Sequence, residues 1–273
     1  MDKRNERKLK FIKTFFPKKF TRLNSTKNKF VAELIRKKFL EGDHLYVLMP
    51  DSVIEVNQTV DRPPDMLLPS RVVEHFIRKA SFRFAMDFCI CRDSVPCRDY
   101  PREIGCLFLG AAARDISTDW GREVSEDEAM EIVRRAREAG LVHSVGKGKL
   151  DTVWLGVGPG EKLFTICNCC PCCCIARGLP YGHPILGENY NRMPGLKIDV
   201  TDDCAGCGTC LEEKVCIFRG ISMRDGHAVI NEDCRGCGRC VTACPNQAIK
   251  VVIQDDRYVQ QVIANLEERL DVT

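Results

Sequence analysis

Residues 204–216 read C-A-G-C-G-T-C-L-E-E-K-V-C, and residues 234–245 read C-R-G-C-G-R-C-V-T-A-C-P. Cys204, Cys207 and Cys210 recur 30 residues later as Cys234, Cys237 and Cys240, which marks an internal duplication. The flanks repeat as well. KIDV precedes the first knot and AVI the second; ISM follows the first and AIKVVI the second. Each half therefore reads as strand, cysteine loop, short helix, strand.

Thiolates two residues apart can wrap one corner of a metal–sulfur cube, and the small glycines let backbone N–H groups approach the sulfurs. The second half fits the run C-x2-C-x2-C-x3-C-P, whose fourth cysteine serves the other of two clusters. On these residues the segment 197–253 resembles the two-[4Fe-4S] bacterial-type ferredoxins. That resemblance implies a pseudo-twofold βαβ–βαβ fold. It also implies one cluster on Cys204, Cys207, Cys210 and Cys244, and a second on Cys234, Cys237, Cys240 and Cys216. Two departures stand out: five residues rather than three precede Cys216, and Ile217 replaces the proline seen as Pro245. Zinc ribbons pair two C-x2-C knuckles rather than triplets with a trailing Cys-Pro, so zinc is the weaker reading here.

The chain has 18 cysteines in 273 residues. A disulfide scaffold belongs to small secreted chains, whereas this chain is long, has no secretory leader pattern, and bunches its cysteines into knots such as Cys172-Cys173-Cys174. Ten cysteines lie upstream of the duplication, as Cys89, Cys91, Cys97 and Cys106, and as Cys167, Cys169, Cys170, Cys172, Cys173 and Cys174. Neither group has ferredoxin spacing. Three readings stay open: one further cluster per group, one shared or unusual centre, or zinc in one group. The region resembles the cysteine-rich domains fused to ferredoxin modules in uncharacterised iron–sulfur proteins of anaerobes, which implies redox partnership.

Working outward, residues 1–40 carry a net charge of +11 and the remainder −8. Leu9, Ile12 and Phe16, and after Pro17 also Phe30, Val31, Leu34 and Ile35, fall at helical spacing. Such a basic amphipathic arm can lie on an anionic membrane surface, grip an acidic partner, or simply pack on the body. Residues 45–56 read as two strands around a proline, and Arg62-Pro63-Pro64 as a breaker. A helix is expected from Pro69 and Ser70 to about Met86, and another after Ser125, where Glu128 completes a capping box. Strands are expected at 141–145, 152–157 and 163–167, and a helix at 257–270. Gly156–Gly160 reads as a turn, and His143 as a satisfied surface or core histidine.

The organisation expected is a basic arm (1–40), a cysteine-rich α+β domain (41–177), a linker (178–196), the ferredoxin domain (197–253) and a C-terminal helix (254–273). The fold class is α+β: a ferredoxin-like two-cluster module preceded by a mixed α/β cysteine-rich domain. No apolar run is long enough to span a bilayer, and the expected location is the cytoplasm of an anaerobe. The expected role is single-electron relay through two [4Fe-4S] clusters to or from an upstream cysteine-ligated centre, as an electron-transfer protein or redox-enzyme subunit. Its partner would be a redox protein. Further iron–sulfur clusters, or zinc, would occupy the upstream cysteines. Two other classes compete: an iron–sulfur redox sensor that binds DNA, disfavoured by the acidic body, and a cluster carrier.

Overall fold

The sheet of the upstream region owes its two faces to strict alternation. In the strand Phe164–Cys169, Phe164 and Ile166 point one way while Thr165, Cys167 and Cys169 point the other. The structure is a computed structural model that describes residues 2–15, 25–56, 68–212 and 215–273. Phe16, Pro17 and the Arg62-Pro63-Pro64 breaker lie outside the described residues.

The strands are β1 (His44–Val47), β2 (Arg83–Met86), β3 (Leu107–Leu109), β4 (Gly121–Glu123), β5 (Val142–Lys147), β6 (Phe164–Cys169) and β7 (Tyr190–Arg192). They form one sheet in the order β4-β2-β3-β6-β5-β1-β7, with antiparallel neighbours throughout except the parallel β1–β7 pair. The helices are α1 (Lys3–Phe15), α2 (Lys29–Phe39), α3 (Asp51–Val56), α4 (Ser70–Lys79), α5 (Ile90–Ser94), α6 (Glu126–Glu138), α7 (Lys149–Leu155), α8 (Arg239–Ala243) and α9 (Tyr258–Glu267).

One face of the sheet is covered by α4, α6 and α9. Val72, Val73, Phe76 and Ile77 of α4 are fully buried there, and Phe76 stacks on Phe164 with ring centroids 4.2 Å apart. Each such side chain contributes about 1.5 to 3 kcal/mol. Ser125 caps α6 as its spacing predicts: its Oγ accepts from the Glu128 N–H, and the Glu128 carboxylate accepts from the Ser125 N–H at 2.9 Å. The C-terminal helix docks here too, with Glu267 accepting from Lys79 at 2.5 Å and Asn265 donating to the Tyr46 hydroxyl at 3.1 Å.

Four local expectations are corrected. The helix opened by Ser70 ends at Lys79, not near Met86. Ala80 turns extended and Arg83–Met86 becomes an inner strand, with Ala85 facing the helices and Phe84 and Met86 the opposite side. Residues 51–56 form α3 rather than a second strand, because burying Val53 and Ile54 in the core outweighs their β preference. Residues 152–155 belong to α7. Asp43 accepts from the Lys149 N–H at 2.6 Å, at the start of that helix, and Gly156 ends it at φ +74°. The stretch 178–196, read as a linker, supplies β7 to the sheet edge and opens β8.

The arm folds back on the body. Leu9 and Ile12 are buried, Asn5 donates to Asp119 at 2.8 Å, and Lys13 pairs with Asp93 at 2.5 Å. Phe11, Phe30 and Leu34 are exposed.

The C-terminal segment adds β8 (Leu196–Val200), β9 (Ile221–Arg224), β10 (His227–Ile230) and β11 (Ile249–Ile253). β8 pairs antiparallel with β11, and β9 with β10. Where the first half calls for a helix it makes a single 3-10 turn, Thr209–Leu211; the second half makes α8. This segment shares its core with the upstream region, Leu196, Ile198, Ile249 and Val251 lying in one apolar cluster with Val133 and Ile166. Among the described residues, no helix is long and apolar enough to cross a membrane.

Candidate metal centres

None of the 18 cysteines is joined in a disulfide. In the duplicated segment the two loops repeat in backbone as well as in sequence. Gly206 and Gly208 hold φ of +66° and +78°; Gly236 and Gly238 hold +69° and +72°. Only glycine takes these values readily, and a Cβ on Gly206 would sit 2.3 Å from the Gly226 carbonyl oxygen. The fourth cysteines repeat too. Cys216 accepts from the Gly220 N–H at 3.2 Å and Cys244 from the Ala248 N–H at 3.3 Å, each across a residue of positive φ, Arg219 and Gln247. The longer run before Cys216 and the absence of a following proline therefore leave this local geometry intact.

The loops cross over. Cys204, Cys207, Cys210 and Cys244 line one hollow. Cys216, Cys234, Cys237 and Cys240 line another. Each hollow thus draws three sulfurs from one half and one from the other. Their donors suit an iron–sulfur cube: thiols in apolar walls, with backbone N–H groups on the sulfurs, including Ala228 N–H on Cys204 at 3.4 Å. Burial pushes the Cys237 thiol up to about 12, and raises Cys240 as well, the cost that a bound cation removes. The hollows differ in setting. Cys207 is exposed, whereas the loop 234–240 is pressed on the upstream region. Arg239 donates to the Gly140 carbonyl at 2.8 Å and to the Tyr100 hydroxyl at 2.9 Å, and a Cβ on Gly238 would meet Met49.

Upstream, the two sequence groups do not stay separate. The register that sets Leu107 opposite Ile166 carries Cys106 to Cys167, with sulfurs 3.5 Å apart. Cys89, Cys91, Cys106, Cys167, Cys169, Cys170 and Cys174 line a cavity on the sheet face opposite α4 and α6. Cys97 leaves its group and joins Cys170, Cys172 and Cys173. Cys237 packs in one apolar cluster with Cys174, against which Cys169 also lies, so the second hollow and this cavity share a wall.

Several residues that no cysteine pattern signals complete the cavity. Arg92 is 0% exposed, and its guanidinium donates to the carbonyls of Pro101 at 2.8 Å, Asn168 at 2.5 Å, and Ile104. Burial opposes its charge, but the sulfurs of Cys89, Cys170, Cys106 and Cys169 around it hold the guanidinium above its ordinary value. No carboxylate pairs with it among the described residues; the sulfurs of four cysteines face it instead. A single arginine inside C-I-C-R-D was the available signal. Burial pushes the Asp43 carboxyl up to about 7, against the Lys149 N–H that lowers it. Asp151 is pushed up to about 6 by burial, opposed by the Thr165 hydroxyl at 2.9 Å. Both acids line the cavity beside Trp154. His143 lies on the other sheet face, bonded to Asn168 at 2.9 Å, and burial lowers it to about 4.

No curated protein and no solved structure matches the chain. One family does match, over residues 227–250: the 4Fe-4S binding domain. The match spans Cys234, Cys237, Cys240 and Cys244, so the second loop of the C-terminal segment carries a 4Fe-4S binding sequence.

Proposed function

We propose that this chain is an iron–sulfur electron-transfer protein or redox-enzyme subunit in which a two-cluster module serves the upstream cysteine-lined cavity. Cys204, Cys207, Cys210 and Cys244 would hold the outer [4Fe-4S] cluster, and Cys216, Cys234, Cys237 and Cys240 the inner one. Bound there, such clusters supply storage and transfer of single electrons.

The observation that carries the reading is the order in space. The outer quartet has an exposed member, Cys207; the inner quartet has none, Cys237 and Cys240 being buried and Cys216 and Cys234 half-buried; and Cys237 shares an apolar wall with Cys174 and Cys169 of the cavity. Arg239 fixes that junction through Tyr100 and Gly140. The chain's own residues hold the sulfurs and place two carboxyls, Asp43 and Asp151, that burial raises to about 7 and about 6, at the cavity wall. A redox protein docking near Cys207 would be the partner on the outer side, and the cytoplasm the expected compartment.

The test is iron and acid-labile sulfide per chain on anaerobically purified protein. The proposal expects about 8 iron and 8 sulfide for the module and additional iron for the cavity. A ceiling of about 8 iron would remove the upstream redox centre from the scheme, and a sample holding zinc without sulfide would end the iron–sulfur reading altogether.

A further inference from the structure

Cys97 sits in the irregular stretch after α5, and Cys170, Cys172 and Cys173 sit on the turn after β6. Seventy-odd residues apart in the chain, their four sulfurs all lie within 4.8 Å of one another. Cys97 to Cys172 and Cys172 to Cys173 are each 3.5 Å. Thiolates that share one ion at a bond length of about 2.3 Å stand about 3.8 Å apart, the edge of the tetrahedron. Thiolates on a cube each hold a different iron and must stand farther apart. Among the described residues, this quartet is the one set of metal-ligating side chains drawn together so closely.

We propose that Cys97, Cys170, Cys172 and Cys173 hold a single tetrahedral, thiolate-seeking divalent ion, zinc or mononuclear iron, as a structural clamp separate from any cluster. Four protein sulfurs close the coordination sphere and leave no position for substrate. The surroundings suit a closed site. Cys170 and Cys173 are buried, Ile104, Leu141 and Ala136 pack around them, and the Cys173 N–H donates to the Cys170 sulfur at 3.3 Å. Four thiolates on a divalent ion leave a net charge of −2, and the Arg92 guanidinium lies beside Cys170 to offset part of it. The clamp also has a task. Residues 95–106 contain no helix or strand, yet they must place Cys106 beside Cys167 and Tyr100 beside Arg239. An ion that joins Cys97 to the turn after β6 fixes that stretch, because binding free energy at such sites is folding free energy. The inference does not depend on the relay proposed above.

The experiment takes the full chain, purified anaerobically, and measures zinc, iron and sulfide in wild type, Cys97→Ser and Cys172→Ser. One zinc, or one iron in excess of sulfide, is expected per wild-type chain. Each variant should lose that ion while sulfide and the sulfide-matched iron stay at wild-type level. Zinc against iron names the ion; either supports the site. Loss of about four iron with four sulfide in Cys97→Ser would place a cube there and overturn the inference, as would an ion content unchanged in both variants. If the variants do not fold, X-ray absorption at the metal edge of wild type decides. Four sulfurs at about 2.3 Å with no second metal behind them support the clamp; nitrogen or oxygen ligands overturn it.

Discussion

The C-terminal module and the upstream region both gather sulfurs, but by opposite means. In the module, each loop carries three ligands within seven residues, and the fold only has to bring one cysteine across from the other half. Upstream, no loop is sufficient. The cavity takes Cys89 and Cys91 from the entry to a short helix, Cys106 from just before β3, Cys167 and Cys169 from β6, and Cys170 and Cys174 from the turn beyond. A sheet positions these sulfurs, so they come together only when the whole domain is folded. The module's hollows instead depend on glycine-bearing loops that can be read as local sequence. The contrast makes the upstream centre the more fragile of the two, and the following experiments can break or sharpen it.

The largest effect is expected at Arg92. Its replacement by Met keeps much of the volume but removes the buried cation that four sulfurs face, and it strands the carbonyls of Pro101, Asn168 and Ile104. Breaking a buried charge arrangement in this way costs about 3 to 5 kcal/mol. Arg92→Met should therefore lose upstream metal and unfold at much lower denaturant, while absorbance from the module's clusters persists to higher denaturant. Wild-type stability in Arg92→Met would show that the guanidinium is not the counter-charge of the cavity.

A smaller effect, with a defined pH window, belongs to Asp43. Its carboxyl, ordinarily near 3.8, is pushed up to about 7 by burial, so the native state holds this proton more tightly than the unfolded chain. Its contribution to stability is fully present below about pH 4 and is lost as pH rises to 7. One pKa unit is about 1.4 kcal/mol, so between pH 5.5 and 8 the loss should be about 2 kcal/mol. Asp43→Asn keeps an acceptor for the Lys149 N–H and should flatten that slope, read as the urea midpoint across the window. An unchanged slope would move the pH sensitivity to Asp151.

Legibility follows the same divide. The C-x2-C-x2-C loops could be read because ligand spacing and glycine turns are local, and the 30-residue repeat announced the pairing of halves. The helix after Ser125 could be read because capping is local. The partition of the ten upstream cysteines could not. That Cys97 sits with Cys172 rather than with Cys89 is fixed by the packing of distant segments, which no spacing encodes. The same holds for residues 152–155, whose Val-Trp-Leu run favours a strand until Asp43, more than a hundred residues away, meets the first N–H of α7. Arg92 was hidden for a related reason: its meaning lies in the sulfurs around it.

The smallest effect tests whether these consequences are specific to the sulfur sites. Ser125 caps α6 on the sheet face opposite the cavity, through two reciprocal hydrogen bonds with Glu128. Ser125→Ala removes the acceptor for the Glu128 N–H and should lower stability by about 1 kcal/mol. The cap touches no cysteine, and Val133 and Ala136 of the same helix keep their buried contacts. Global stability should therefore fall without change in iron, sulfide or zinc per chain. If metal content fell with so small a loss, the upstream sulfurs would be gathered by marginal stability of the whole domain rather than by the local register of β3, β6 and the turn beyond. Arg92→Met would then have to be read the same way.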